Sequence, residues 1–313
     1  MKSLVDQSGR HIHKLRLGLL DACNFRCLYC MPDNPVFMPK KNWMKREEIF
    51  RLASVLNGLG IDEIRLTGGE PTLRSDFVDI AEDISTLPLK KLGITSNGVT
   101  LAPHLKRLQQ TNLKYINLSL DSLNREKFKE LTKMDALEEV LKCIFTAKEL
   151  GFSVKINTVL MKGYNDDEIH RFVDFSREYD IEIRFLELMK IGVARSFFEK
   201  RFAPIDVAID AVTSRFGTTD VILPKDSTSF AYDIEGGGRI GFIASESRPF
   251  CHSCSRLRLG PDGCIRPCLM LDSGFSLVGK NESEIESLLH KTMALKPVDR
   301  IESVAQAMYQ IGG

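Results

Sequence analysis

No stretch of this sequence is apolar for long enough to span a membrane, and the opening residues Met1-Lys2-Ser3-Leu4-Val5-Asp6 lack the apolar run of a secretion signal. Neither a membrane partner nor export is therefore expected. The charges nearly cancel, 43 Lys and Arg against 42 Asp and Glu, for a formal net charge of +1. That balance removes the global field that would draw in nucleic acid, so any anion must be held locally. Low-complexity segments are absent, as are internal repeats beyond alternating strand and helix patterns. With 43% hydrophobic and 27% charged residues over 313 positions, the chain has ample core for one large domain or two ordinary ones. Cysteine breaks this plainness. There are eight, six of them in two tight clusters, which without a secretion signal suits metal ligation in a reducing cytoplasm better than disulfides.

Strand-like runs are read at Leu15–Leu20, Glu63–Thr67, Leu92–Thr95, Tyr115–Leu120, Val154–Leu160 and Ile181–Leu188. Between them, apolar residues at three- and four-residue spacing predict helices over Arg46–Leu59, Phe77–Leu87, Glu126–Lys133, Leu137–Leu150 and Asp167–Tyr179. Gly60, Gly98 and Gly151 fall where helices or turns should end. This rhythm predicts an α/β fold, a partial (β/α)6 barrel of parallel strands with helices outside. Chemistry on such a barrel belongs at the C-terminal strand ends. After Met189 the rhythm breaks, and residues 204–300 read as a smaller α+β region with a helix over Ile205–Phe216. Short strands near Arg239–Ala244 and Leu257–Leu259 and a helix over Glu282–Leu295 follow, with Gly236-Gly237-Gly238 as a hairpin turn. The expected division is a tail over 1–13, the barrel over 14–190, an auxiliary domain over 191–300 and a tail over 301–313.

The most informative run is Asp21-Ala22-Cys23-Asn24-Phe25-Arg26-Cys27-Leu28-Tyr29-Cys30-Met31-Pro32. Its C-x3-C-x2-C spacing offers three thiolates on one loop. They suit three corners of a cubane iron–sulfur cluster and leave one iron open for chemistry. Half a zinc site or a buried cysteine cluster is the alternative, but no His or Cys follows within the next seventy residues to close a zinc site locally. The spacing resembles the signature of the radical S-adenosylmethionine (SAM) superfamily, in which SAM chelates the open iron. One βα unit later comes Gly68-Gly69-Glu70-Pro71, whose glycines admit a ligand close to the backbone. The resemblance places Gly69 and Glu70 at the SAM amino group. By the same resemblance Tyr29, Thr95, Ser96, Asn97, Ser119 and Met189 surround SAM, although Met189 equally reads as a core residue.

A second set, Cys251 and Cys254 with Cys268 after thirteen intervening residues, repeats the three-ligand pattern. A zinc ribbon completed by Cys264 or His252 is its alternative. Arg256 and Arg258 alternate on a predicted strand and so share a face, and guanidinium forks suit phosphate. Arg16, Arg65, Lys155 and Arg184 sit on predicted barrel strands, where unpaired charge is expensive. Facing one cavity between two clusters, they would cradle a triphosphate.

Together these motifs resemble the GTP 3',8-cyclases, the family of molybdenum cofactor biosynthesis protein A, over essentially the whole chain. Further shared elements are Asn117-Leu118-Ser119-Leu120-Asp121, Glu182-Ile183-Arg184-Phe185 and the closing Gly312-Gly313. The resemblance implies SAM and two 4Fe-4S clusters as cofactors, held by Cys23, Cys27 and Cys30 and by Cys251, Cys254 and Cys268. It implies that Arg16, Arg65, Lys155, Arg184, Arg256 and Arg258 hold GTP. Arg256, Arg258, Gly312 and Gly313 would act at the reacting end. A radical formed from SAM would take the ribose C3' hydrogen, the C3' carbon would bond to guanine C8, and reduction would give 3',8-cyclo-7,8-dihydro-GTP. A reductant or electron-donor protein and a downstream cyclic pyranopterin monophosphate synthase are the implied partners; a homodimer is left open. Ala22 stands where relatives often carry a basic residue and Glu63 where some have a Lys, and Lys190–Phe202 looks short. A radical SAM paralogue acting on another nucleotide or a peptide is the alternative enzyme, and a non-catalytic redox-sensing module the alternative class.

Overall fold

A computed structural model describes residues 3–310. Its six predicted βα strands are β1 (Lys14–Gly18), β2 (Glu63–Thr67), β3 (Lys91–Ser96), β4 (Leu113–Ser119), β5 (Ser153–Leu160) and β6 (Glu182–Glu187). The helices between them are α1 (Arg46–Gly58), α2 (Phe77–Ser85), α3 (Leu105–Leu108), α4 (Arg125–Thr132), α5 (Leu137–Glu149) and α6 (Ile169–Tyr179). The one-turn α3 is too short for periodicity to reveal. α1 buries Ile49, Leu52, Ala53 and Leu56 on one stripe and ends before Gly60, whose φ of +119° an L side chain resists. α4 starts on Asn124, whose side chain accepts from the amides of Glu126 and Lys127.

The second half of the chain forms α7 (Phe198–Arg201), α8 (Ile205–Thr213), β7 (Thr218–Asp220), β8 (Phe230–Ile234) and β9 (Arg239–Ile243). Then come β10 (Arg256–Leu259), β11 (Cys264–Arg266), β12 (Phe275–Ser276) and α9 (Glu282–Ala294), which opens on an Asn281/Glu284 capping box. Gly236, Gly237 and Gly238 all have positive φ in the antiparallel turn from β8 to β9. These strands do not build a sheet of their own. All twelve join one sheet, ordered β12-β11-β10-β1-β2-β3-β4-β5-β6-β9-β8-β7. β10 pairs in parallel with β1, and β9 in parallel with β6. The connection 244–255 therefore runs from one side of the six-stranded core to the other.

Strand alternation decides what the barrel encloses. Leu15, Leu17, Ile64, Leu66, Ile116, Leu118, Ile156 and Ile183 are buried beneath the helices. The alternate positions carry Arg16, Arg65, Thr95, Asn117, Ser119, Lys155, Asn157 and Arg184, which line cavities. A closed (β/α)8 barrel fills its interior with branched apolar side chains. Here the interior face is polar and basic, so it is a chamber rather than a core.

Candidate active site

At the C-terminal ends of the strands lies a cavity of about 360 Å³. It is lined by both cysteine sets, by the loop after β2 and by the ends of β3 to β6, which is the position expected for chemistry on this fold. The loop carrying Cys23, Cys27 and Cys30 is held by its main chain: Arg26 and Leu28 donate to the carbonyls of Thr132 and Leu131, at 2.9 and 3.0 Å. Cys30 and Met31 donate back to the carbonyl of Cys27 at 3.0 and 3.1 Å, which curls the loop back on itself. Tyr29 donates its hydroxyl to Asp121 at 2.8 Å, and Asp121 also accepts from the Val159 amide at 2.8 Å. Burial pushes the Asp121 carboxyl up to about 6.

Burial likewise raises the Cys23 thiol to about 11 and that of Cys30 to about 12, and holds that of Cys27 well above its ordinary value. Cys254 goes the other way. Burial would raise it, but Arg256 and Lys296 outweigh that and bring it to about 6. Among the described residues no group of three His, Cys, Asp or Glu side chains is gathered as one metal ion would need. A cubane cluster instead spreads its thiolates over separate irons, so the donor set fits a cluster better than a zinc ion. Cys264 and His252, the candidates for completing a zinc site, do not line the cavity; Cys264 sits on β11 with Gly274 over its sulfur. Cys143 is a core residue of α5, fully buried.

The Gly68-Gly69-Glu70-Pro71 loop is pressed against the chain that follows β1. Gly69 and Glu70 donate to the carbonyls of Leu20 and Ala22, both at 2.8 Å. A Cβ on Gly69 would lie 2.2 Å from the Ala22 oxygen, and one on Gly68 2.3 Å from that of Leu20. Only glycine fits. The Glu70 carboxylate is fully committed on one oxygen: Oε1 accepts from the Thr72 amide and hydroxyl and from Ser96 Oγ, at 3.1, 2.6 and 2.9 Å. Oε2 takes the Asn97 amide at 2.7 Å, which leaves it acceptor capacity for one further donor. Glu70→Gln turns an amide NH2 toward donors. It is expected to cost about 1–3 kcal/mol, read as a lower denaturation midpoint, and to raise the KM for SAM.

Tyr29, Gly69, Glu70, Thr95, Ser96, Asn97, Ser119 and Met189 all line this cavity. Met189 also packs against a small apolar cluster around Ile191, Met270 and Val304, as its reading as a core residue expects. Arg16, Arg184, Arg256 and Arg258 line the cavity as well. Arg65 and Lys155 do not. They line a second cavity of about 260 Å³ toward the N-terminal strand ends, which Arg16, the register partner of Arg65, lines as well. The two cavities share Arg16, Asn117, Arg184, Thr228 and Arg256. In place of the single chamber expected between the clusters there are two, divided by these shared residues.

Strand register explains the basic neck. Arg16 pairs with Arg258 on β10 and with Arg65 on β2. Burial, and then Arg65, Arg256, Arg258 and Arg184, hold the Arg16 guanidinium well below its ordinary value. Arg65 and Arg258 are each brought to about 10, again chiefly by burial. Gly93 makes room here: a Cβ would lie 3.2 Å from an Arg65 nitrogen. Glu182 answers Lys155 and Arg184, each at 2.6 Å, and Glu63 pairs with Lys91 at 3.3 Å. Among the described residues no carboxylate forms an ion pair with Arg16, Arg65 or Arg256. The loop between β7 and β8 bounds the lower cavity, its Asp226 accepting from Lys14, His13 and Ser255 at 2.5, 2.9 and 2.7 Å.

The sequence reading passed over Asn117, Asn157, Thr228, Lys296 and Arg300, all of which line the larger cavity. Two-residue alternation from Ser119 and Lys155 leads to Asn117 and Asn157; nothing local marks the other three. Met308 and Tyr309 reach the same cavity, while Gly312 and Gly313 lie outside the described residues.

Comparisons place this arrangement among known proteins. The family model of the Radical SAM superfamily matches residues 19–176, and that of Molybdenum Cofactor Synthesis C matches residues 181–300. A Synechocystis sp. protein named GTP 3',8-cyclase is 41% identical over 100% of this chain and 95% of its own length. One of the same name from Aquifex aeolicus is 39% identical over 88% of this chain and 87% of its own. Molybdenum cofactor biosynthesis protein moc-5 of Caenorhabditis elegans is 38% identical over 89% of this chain and 48% of its length. Among solved structures, Streptococcus suis SuiB bound to S-adenosylmethionine superposes with a TM-score of 0.67, covering 92% of this chain and 69% of SuiB, at 16% identity. That likeness is one of fold.

Proposed function

The chain belongs to the GTP 3',8-cyclase family of the radical SAM superfamily, and from its site we infer how two clusters, SAM and GTP are disposed in it. The enzyme converts GTP to 3',8-cyclo-7,8-dihydro-GTP, the first step of molybdenum cofactor biosynthesis. Cys23, Cys27 and Cys30 hold the cluster that binds SAM, and Cys251, Cys254 and Cys268 hold the auxiliary one. When bound, the first cluster and SAM supply one-electron reductive cleavage and a hydrogen-abstracting radical.

The chain's own residues do the positioning. Glu70 Oε2 accepts from the SAM amino group, with Gly69 admitting it to the backbone and Ser96 and Asn97 fixing the carboxylate. Tyr29, Thr95, Ser119 and Met189 complete that wall. GTP lies along the barrel axis, its triphosphate on Arg65, Lys155, Arg16 and Arg184 and its base above the neck near Arg256 and Arg258. Clamped at both ends, the ribose is aimed at the SAM side of the chamber, which converts a bimolecular encounter into an oriented one. Enclosure keeps water from the reacting atoms. Gly312 and Gly313 are assigned to the same end by family pattern.

The observation that carries this reading is the gathering of half-buried, mutually repelling guanidiniums around Arg16. Such a cluster is costly alone and matched by a polyanion such as triphosphate. In the cell the assignment calls for an electron-donor protein, a downstream cyclic pyranopterin monophosphate synthase and a cytoplasmic setting, with homodimerisation as its proposed assembly. No helix among the described residues is long and apolar enough to cross a membrane.

The test is anaerobic turnover of reconstituted protein with SAM and reductant, quantifying 5'-deoxyadenosine with and without GTP. Release that depends on GTP and matches cyclic nucleotide one for one is expected. Slow release indifferent to GTP would overturn the substrate assignment.

A further inference from the structure

Lys296 has no place in the reaction as described so far. It lies just past α9 and is 7% exposed. A lysine so buried is costly without a partner, and among the described residues no carboxylate pairs with it. Its ammonium donates to the carbonyls of Arg256 and Pro267 at 2.7 and 2.9 Å and to the sulfur of Cys254 at 3.4 Å. An ammonium has three protons, and these three acceptors use them all. None remains for a substrate, although the residue lines the cavity.

The acceptors belong to the two segments that carry Cys254 and Cys268. A second buried cation serves the third. Arg10, paired with Asp6 at 2.6 Å, donates to the carbonyls of Cys251 and Pro297, both at 2.7 Å, and of Lys296 at 3.1 Å. Each auxiliary cysteine segment is thus tied to a cation from outside the barrel, and the two cations are tied to each other.

We propose that Lys296 is a positioning residue for the auxiliary cluster, holding the Cys254 and Cys268 segments together and, through its N–H···S bond and charge, making that cluster easier to reduce. The proposal rests on the second cluster assigned above. Positive charge and hydrogen bonds to cluster sulfurs stabilise the more negative reduced form. Arg256, which faces Cys254 and stacks on Phe250 with its guanidinium 5.2 Å from the ring, adds to the field but also repels Lys296.

Lys296→Met and Lys296→Gln in the full chain test this. The auxiliary centre is isolated in a Cys23→Ala/Cys27→Ala/Cys30→Ala background, and its midpoint potential is read by EPR-monitored titration. Lys296→Met is expected to keep its iron and shift the reduction equilibrium about tenfold toward the oxidised form, about 59 mV for one electron. Lys296→Gln, which keeps a donor but no charge, should fall between. Should Lys296→Met fail to load iron, the glutamine variant carries the measurement. Iron retained at an unchanged potential would overturn the role of Lys296. No iron in the background protein itself would overturn the second cluster, and the proposal with it.

Discussion

Exchanging Arg16 for methionine is expected to weaken GTP binding and, at the same time, to stabilise the ligand-free protein. Arg16 sits at the neck shared by both cavities, with Arg258 and Arg65 opposite it on the flanking strands. A charge-assisted hydrogen bond to phosphate is worth about 1.5–3 kcal/mol, or roughly 10- to 200-fold in Kd. Among the described residues the charged neighbours of this guanidinium all repel it, so an apolar side chain of similar length is expected to stabilise the ligand-free protein by relieving that repulsion. Calorimetric titration with GTP and a thermal melt of the unliganded protein should therefore move in opposite senses. Arg256→Ala and Arg258→Ala should lose affinity to a similar degree. A Tm that falls together with the affinity would mean that Arg16 is a structural residue, not a ligand of the triphosphate.

The second large effect separates the two cysteine sets. Cys23→Ala removes one of the three ligands proposed for the first cluster, from a loop that has no fourth cysteine nearby. It should leave about four of roughly eight irons per chain and bring 5'-deoxyadenosine release to background, with or without GTP. Cys268→Ala should lose a similar amount of iron yet still cleave SAM slowly, because the Cys23–Cys30 loop is anchored on α4 and not on the auxiliary segments. Its cleavage should no longer respond to GTP. Iron analysis beside product quantification distinguishes the two, and equal loss of SAM cleavage in both variants would contradict separate roles.

Much of this was legible because local chemistry and fold agreed. Apolar alternation at Leu15 and Leu17 both predicts the strand and leaves Arg16 to face inward. The three-and-four spacing of Ile49, Leu52 and Leu56 fixes α1, and both cysteine sets line the one cavity at the strand ends. What stayed hidden is set by long-range pairing. That β9 and β10 take opposite edges of the barrel sheet depends on register no window of sequence contains. The placement of Arg65 and Lys155 below the neck required knowing how deep each strand sits, which hydrophobic period does not encode. Lys296 follows an ordinary charged helix, and only tertiary contact reveals its carbonyl and sulfur partners. Glu63 pairs with Lys91, which balances its charge.

The strand order also dictates a timetable. During synthesis β1 and β6 can find their inner neighbours as soon as residue 187 has emerged, yet β6 waits for residue 239 and β1 for residue 256 before their outer edges are covered. Until then the nascent barrel displays two bare strand edges, which template aggregation in any sheet. The segment that finally covers the second edge is the one that delivers Cys251 and Cys254. Closure of the sheet thus comes just before the chain that supplies Cys268 and Lys296, and a chain halted ahead of it would keep a bare strand edge.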